Sequence, residues 1–295
     1  MRLTLGLLLF LPLPALAHGL FGHGAERLPL WLTAALMLLV WSLYLLGSRR
    51  VTPRRRDTIC LHLALLLAVL AIFGPLDDWA ETSASWHMTQ HMLFMVVIAP
   101  LGALARPLPQ WRSVLGARWQ PLWNPLLRSA RHPGLMALLH GAVIWIWHVP
   151  RLYQLALDNL WWHAIEHACF LFSAWLFWWA VLRAPTRRAP QALLAVLLTL
   201  MHTGLLGALL TFASVSFYGD ARSVADQQLA GLLMWVPGGV LYLIGGGWVA
   251  WRWLGRGKAS ARSPQDDEAR TGRASSEHAG RLRTPAPRRP GISLR

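Results

Sequence analysis

Seven stretches of this chain, Leu28 to Gly47, Ile59 to Leu76, Trp86 to Ala105, Pro133 to Val149, Trp161 to Leu182, Ala192 to Ala213 and Leu229 to Leu254, are almost continuously apolar. A hydrocarbon layer about 30 Å thick is crossed by about 20 helical residues, and backbone inside lipid must satisfy its own hydrogen bonds. Runs of this length therefore predict an all-α, polytopic membrane helix bundle with seven transmembrane helices. The fourth run is the shortest and carries His140 and His148, so it is expected to stand with little tilt or deep within the bundle. With 55% hydrophobic and 14% charged residues, the composition excludes a soluble enzyme.

The ends read differently. Residues 1–17 combine Arg2, an apolar run and small residues at Ala15 and Ala17, which matches a signal peptide cleaved before His18, or an anchor if it is retained. The seven-helix domain is expected over 18–255. Cleavage would expose His18 and His23 in a Gly-rich leader, either a copper chelate or simply a polar linker. Residues 256–295 turn to Arg, Ser, Pro and Gly and are expected to form a disordered cytoplasmic tail.

The net charge of +15 comes mostly from Arg placed between the apolar runs and in the tail, a topology signal that suggests a lipid bilayer and no nucleic acid. Connections after runs one, three and five hold Arg49, Arg50, Arg54, Arg55 and Arg56, then Arg106, Arg112, Arg118, Arg128 and Arg131, then Arg183, Arg187 and Arg188. Alternate connections carry Asp77, Asp78 and Glu81, Arg151 and Asp158, and Asp220, Arg222 and Asp226. The positive-inside rule then puts the N-terminus outside and the C-terminus in the cytoplasm. Trp111, Trp119 and Trp123, among the Arg residues of the longest connection, suit the headgroup layer. Cys60 and Cys169 stand on different spans, so any metal must rely on His, Met or carboxylate.

Histidine is where chemistry gathers. His87 and His91 open the third run, His163 and His167 open the fifth, and His148 leaves the fourth. Imidazoles four apart share one helix face about 6 Å apart along the axis and can reach one metal or cofactor. Hydrogen bonds to neighbouring carbonyls are the plainer use of a buried His, and both readings stand at this point. With the orientation above, His87, His148 and His163 fall near the outer boundary, His91 and His167 one turn deeper, and His140 and His202 deeper still.

Met88 and Met92 flank the first pair as soft copper ligands or as ordinary apolar packing. Glu166 could orient an imidazole or carry a proton. Asp226, opening the last run, could do the same or cap a helix. His62, His132 and His278 fall outside this region. No His-Glu-x-x-His motif occurs, which weighs against a metallohydrolase.

Four segments in order, His87-Met88-x-x-His91, Trp147-His148-x-Pro150-x-x-Tyr153, His163-x-x-Glu166-His167 and Asp226-Gln227-Gln228-Leu229-Ala230-Gly231 with Met234-Trp235, resemble the seven-span CtaG-type cytochrome c oxidase assembly factors. The resemblance implies a non-enzymatic protein of the bacterial plasma membrane that acts on cytochrome c oxidase subunits. Through it, copper delivery at the outer face is expected, with His87, His91, His148, His163 and His167 as ligands. Two alternatives remain: a cytochrome with haem clamped by one His from span three and one from span five, or a metal-dependent membrane enzyme with Glu166 as acid or base.

Overall fold

A computed structural model describes residues 27–219 and 222–261, with side chains through Gly255. The expected signal segment, the His18 leader, Asp220 and the tail beyond Ala261 lie outside the described residues. All described elements are helical. Besides two short 3-10 turns at Ala117–Trp119 and Thr186–Arg188, they are in order α1 (Leu28–Arg50), α2 (Arg55–Phe73), α3 (Pro75–Thr82), α4 (Ala84–Ala105), α5 (Leu108–Leu115), α6 (Gln120–Ser129), α7 (Pro133–Trp147), α8 (Pro150–Asp158), α9 (Leu160–Leu182), α10 (Ala189–Thr211) and α11 (Val224–Ala261). α1, α2, α4, α9, α10 and α11 are each long and apolar enough to cross a membrane, and α7 with α8 forms a bent pair that makes a seventh crossing if counted as one span. α11 continues into Arg256–Ala261, so the stretch expected as a disordered tail begins as helix.

α4 and α9 are the most buried spans and α1 the least. α9 packs against α4, α7 and α8, while α7 also packs on α10 and α2 on α4. α11 closes on α10 through glycines: a Cβ on Gly231 would stand 2.5 Å from the Gly207 carbonyl oxygen, so the two backbones touch where any side chain would hold them apart.

Two prolines shape the helices that carry the His residues. Pro150 has no N–H and drives the preceding Val149 into an extended conformation, so α7 stops at Trp147 and α8 leaves at 72°. His148 sits at this corner. Within α4, Pro100 likewise offers no donor, and Leu93–Ile98 widens into a π-turn in which the Ala99 N–H reaches the Phe94 carbonyl. The Met95 carbonyl, whose partner in that register would be Pro100, instead accepts the Trp178 indole N–H at 2.8 Å from α9.

Candidate metal centre

The start of α4 is held by a residue from the far end of the chain. The Asp226 carboxylate accepts the N–H groups of Ala84 at 2.5 Å and Ser85 at 3.1 Å and the Ser83 hydroxyl at 2.9 Å. Free N–H groups at a helix N-terminus favour an acceptor and a negative charge, so α11 caps α4 here. Its own N-cap is Ser223, whose hydroxyl accepts the Asp226 N–H. Asp226 thus acts on the helix that carries His87 and His91. Opposite, Asn159 caps α9 by accepting from Trp161 and Trp162, immediately before His163.

These helix starts face each other and bring five imidazoles together. Ring centroids of His87 and His91 are 4.1 Å apart, as are those of His163 and His167; across the helices, His87 to His163 and His91 to His167 are each 5.5 Å. Glu166 stands in this group, its Oε2 3.7 Å from His87 Nε2 and 3.6 Å from His91 Nε2, with all three side chains about 1% exposed. His148 joins from the corner, its ring 6.2 Å from Phe170, which itself lies 4.6 Å from His91. His148 Nδ1 lies 2.7 Å from the Ile144 carbonyl, which can only accept, so Nδ1 holds the proton and Nε2 keeps its lone pair.

The polar atoms of this group are unusual in what they lack. Both ring nitrogens of His87 and His91, Nε2 of His148, His163 and His167, and Oε2 of Glu166 are buried without a hydrogen-bond partner. Buried polar groups in proteins are nearly always paired, because leaving one unpaired costs about 1–3 kcal/mol. A hydrogen-bonded structural cluster, the plainer use of such residues, would have paired them. Two sets could hold a metal ion, His87 with His163 and Glu166, and His91 with Glu166 and His167, the ligand atoms within each set lying within 4.8 Å of one another. Imidazole and carboxylate donors around orphaned lone pairs fit a transition metal.

Other sequence-selected residues fall elsewhere. Met88 and Met92 are buried in the apolar core, and Met92 turns its sulfur to α11, where a Cβ on Gly238 would stand 2.8 Å away. His140 belongs to a separate polar patch, with Nδ1 2.9 Å from the Ser173 hydroxyl and Nε2 3.1 Å from Tyr242. His202 occupies the space left by Gly141, with both ring nitrogens lacking a partner.

Three residues around the site were not expected from spacing. Arg222 is buried and donates to the Ala80 and Glu81 carbonyls at 3.1 Å each and to the Tyr153 hydroxyl at 3.3 Å. Tyr153 in turn stacks on Tyr218 at 3.8 Å and meets His87 edge-on at 5.3 Å, closing the end of the group. Gln90, between the paired His residues in sequence, points away and donates to the Ala71 carbonyl at 2.8 Å and to Asp77 at 2.7 Å. Burial pushes the Asp77 carboxyl up to about 7, against the Gln90 hydrogen bond and with help from Glu81 and Asp78. Asp77, His163 and His167 also line an apolar groove of about 530 Å³, together with residues of α1, α2, α4 and α9.

Comparison with known families settles what kind of chain carries this arrangement. The family model described as cytochrome c oxidase caa3 assembly factor (Caa3_CtaG) matches residues 42–256. The chain belongs to that family. No curated protein and no solved structure matches it. The matched region runs from α1 into α11 and contains the whole imidazole group, so in this caa3 assembly factor the site lies inside the family's common part. Membership also implies an oxidase as partner of this membrane-embedded chain.

Proposed function

We propose that this caa3 assembly factor matures its oxidase by handling a transition-metal cargo, copper in the first place, at His87, His91, His163, His167 and Glu166, with His148 adjoining. The observation that carries the reading is the set of orphaned buried lone pairs on imidazole and carboxylate, which a bound cation would satisfy. Copper is favoured over other imidazole-binding metals because the partner is a haem–copper oxidase. Acquisition and release need no catalysed reaction, so the chain acts without an enzymatic step of its own. Met88 and Met92, with their burial in the core, serve packing, and the imidazole-carboxylate set is harder than a thioether set would be.

The haem reading is weaker. A macrocycle clamped between α4 and α9 needs a slot between opposed imidazoles, whereas His87 and His163 stack at 5.5 Å and Glu166 approaches both His87 and His91 between the helices. The Arg distribution, with every Arg-rich connection at the helix ends opposite the imidazoles, supports a site facing outward from the bacterial plasma membrane.

Single replacement of His87, His91, His163 or His167 by Ala is expected to reduce oxidase maturation at near-normal membrane abundance, with partial rescue by excess copper, while His278→Ala changes nothing. Full maturation in a His91→Ala/His167→Ala double variant would refute the proposal. A Soret band in the wild type that this variant loses would identify a cytochrome instead.

A further inference from the structure

The ligand atoms do not converge on one point. A single tetrahedral ion holding four imidazoles would need their nitrogens mutually about 3.3 Å apart, given metal–nitrogen bonds of about 2.0–2.1 Å. Here the close ligand atoms separate into two sets, one per helical layer: His87 and His163 in the first, His91 and His167 one turn further along both helices. Only Glu166 belongs to both. Its Oε2 stands 3.7 Å from His87 Nε2 and 3.6 Å from His91 Nε2, too far for a good hydrogen bond to either and close to the separation of two ligands on one ion.

We infer that the centre is dinuclear: it holds two metal ions, one on His87 and His163 and one on His91 and His167, with the Glu166 carboxylate shared between them. This rests on the metal-handling reading above and adds the number of ions and the role of Glu166. The two layers are offset as a bridged pair requires. Paired metal ions sharing ligands lie about 3.5–4 Å apart, and the successive rings on each helix, His87 edge-on to His91 and His163 tilted against His167, have their centroids 4.1 Å apart. Charge supports sharing as well, since two cations in a buried site repel strongly and Glu166 is the one carboxylate in either set. His148, with its proton fixed on Nδ1 and its Nε2 lone pair without a partner, belongs to neither set and adjoins them at the corner.

The test uses the purified full-length protein in detergent, saturated with Cu(II) as probe and washed free of loosely bound metal. Elemental analysis gives ions per chain, and electron paramagnetic resonance gives the spin count. Ions held outside the centre are counted in the His87→Ala/His91→Ala/His163→Ala/His167→Ala variant and subtracted. Two ions per chain are expected, with a spin count well below two because a shared carboxylate couples the pair. Glu166→Gln should lose the coupling and at least one ion, and His87→Ala or His91→Ala alone should each leave one ion with a full, uncoupled spin. One ion per wild-type chain, or two with full independent spins, would overturn the dinuclear centre while leaving metal handling intact. No ion above background in the wild type would overturn both. Should Glu166→Gln not fold, as judged by gel filtration and circular dichroism, the wild-type count and coupling decide the matter on their own.

Discussion

An imidazole enclosed like that of His87, with neither ring nitrogen paired, is destabilising in the metal-free protein, at about 1–3 kcal/mol for each unmet group. Cargo that binds only the folded chain reverses this by mass action, about 2.7 kcal/mol at a hundredfold excess over its dissociation constant. Chelation should therefore lower the melting temperature of the loaded wild type by several degrees, and the His87→Ala/His91→Ala/His163→Ala/His167→Ala variant should melt at one temperature with or without metal. Equal melting of loaded and chelated wild type would count against a site here. Asp77 offers a second residue-level test. With its carboxyl raised from 3.8 to about 7, the folded state holds the proton more tightly than the unfolded one in that window. Stability is thus lost as pH rises from about 4 to 7 and the loss is complete above it. Asp77→Asn should raise the melting temperature at pH 8, on the order of 10 °C, and leave it unchanged at pH 4. Parallel profiles for wild type and variant would show that the carboxyl titrates normally.

Helices explain which parts of the site were readable in the sequence. The i, i+4 spacing that joins His87 to His91 and His163 to His167 is a property of one helix, so each pair was legible before any fold was known. That the pairs face each other depends on how α4 and α9 are rotated, which spacing alone cannot reveal. Glu166 is the sequence neighbour of His167, yet its approach to His87 and His91 on the other helix comes from packing. The short fourth run reads as a span of little tilt or deep placement, and its length gives no sign of the Pro150 break, which ends the helix at the His148 corner and sends α8 off at 72°. Pro100 gave no comparable warning, because a π-turn keeps the helix running and leaves the apolar pattern unbroken. Asp226 was open between a site role and a cap; the structure makes it the cap of α4, a contact across more than a hundred residues that no local pattern encodes. Asp226→Ala should cost about 1–2 kcal/mol and fray the α4 start, so melting temperature and copper affinity should fall together, whereas Ser83→Ala should do less. An unchanged copper affinity in Asp226→Ala would separate the cap from the site.

Across the whole molecule, the polar groups are distributed by membrane face. The starts of α4 and α9 and the end of α7 carry the imidazoles, while the opposite helix ends carry Arg-rich connections, with Arg50 donating to the Ser113 carbonyl and Arg188 to the Arg131 carbonyl at 2.6 Å. Burial beside Trp179, whose ring lies 3.8 Å from the Arg183 guanidinium, lowers the Arg183 pKa to about 10, and it remains charged at neutral pH. Moving such a cluster across a bilayer is costly, so these connections determine which face the imidazoles occupy. An outward-facing metal site can meet cargo arriving from outside the cell, and an inward-facing one can only draw on the cytoplasm. Reporter fusions decide between them. A reporter active only outside the cytoplasm should be silent when placed in residues 49–56 and active in residues 77–85; the reverse pattern would put the imidazoles at the cytoplasmic face and require cargo to be loaded from within.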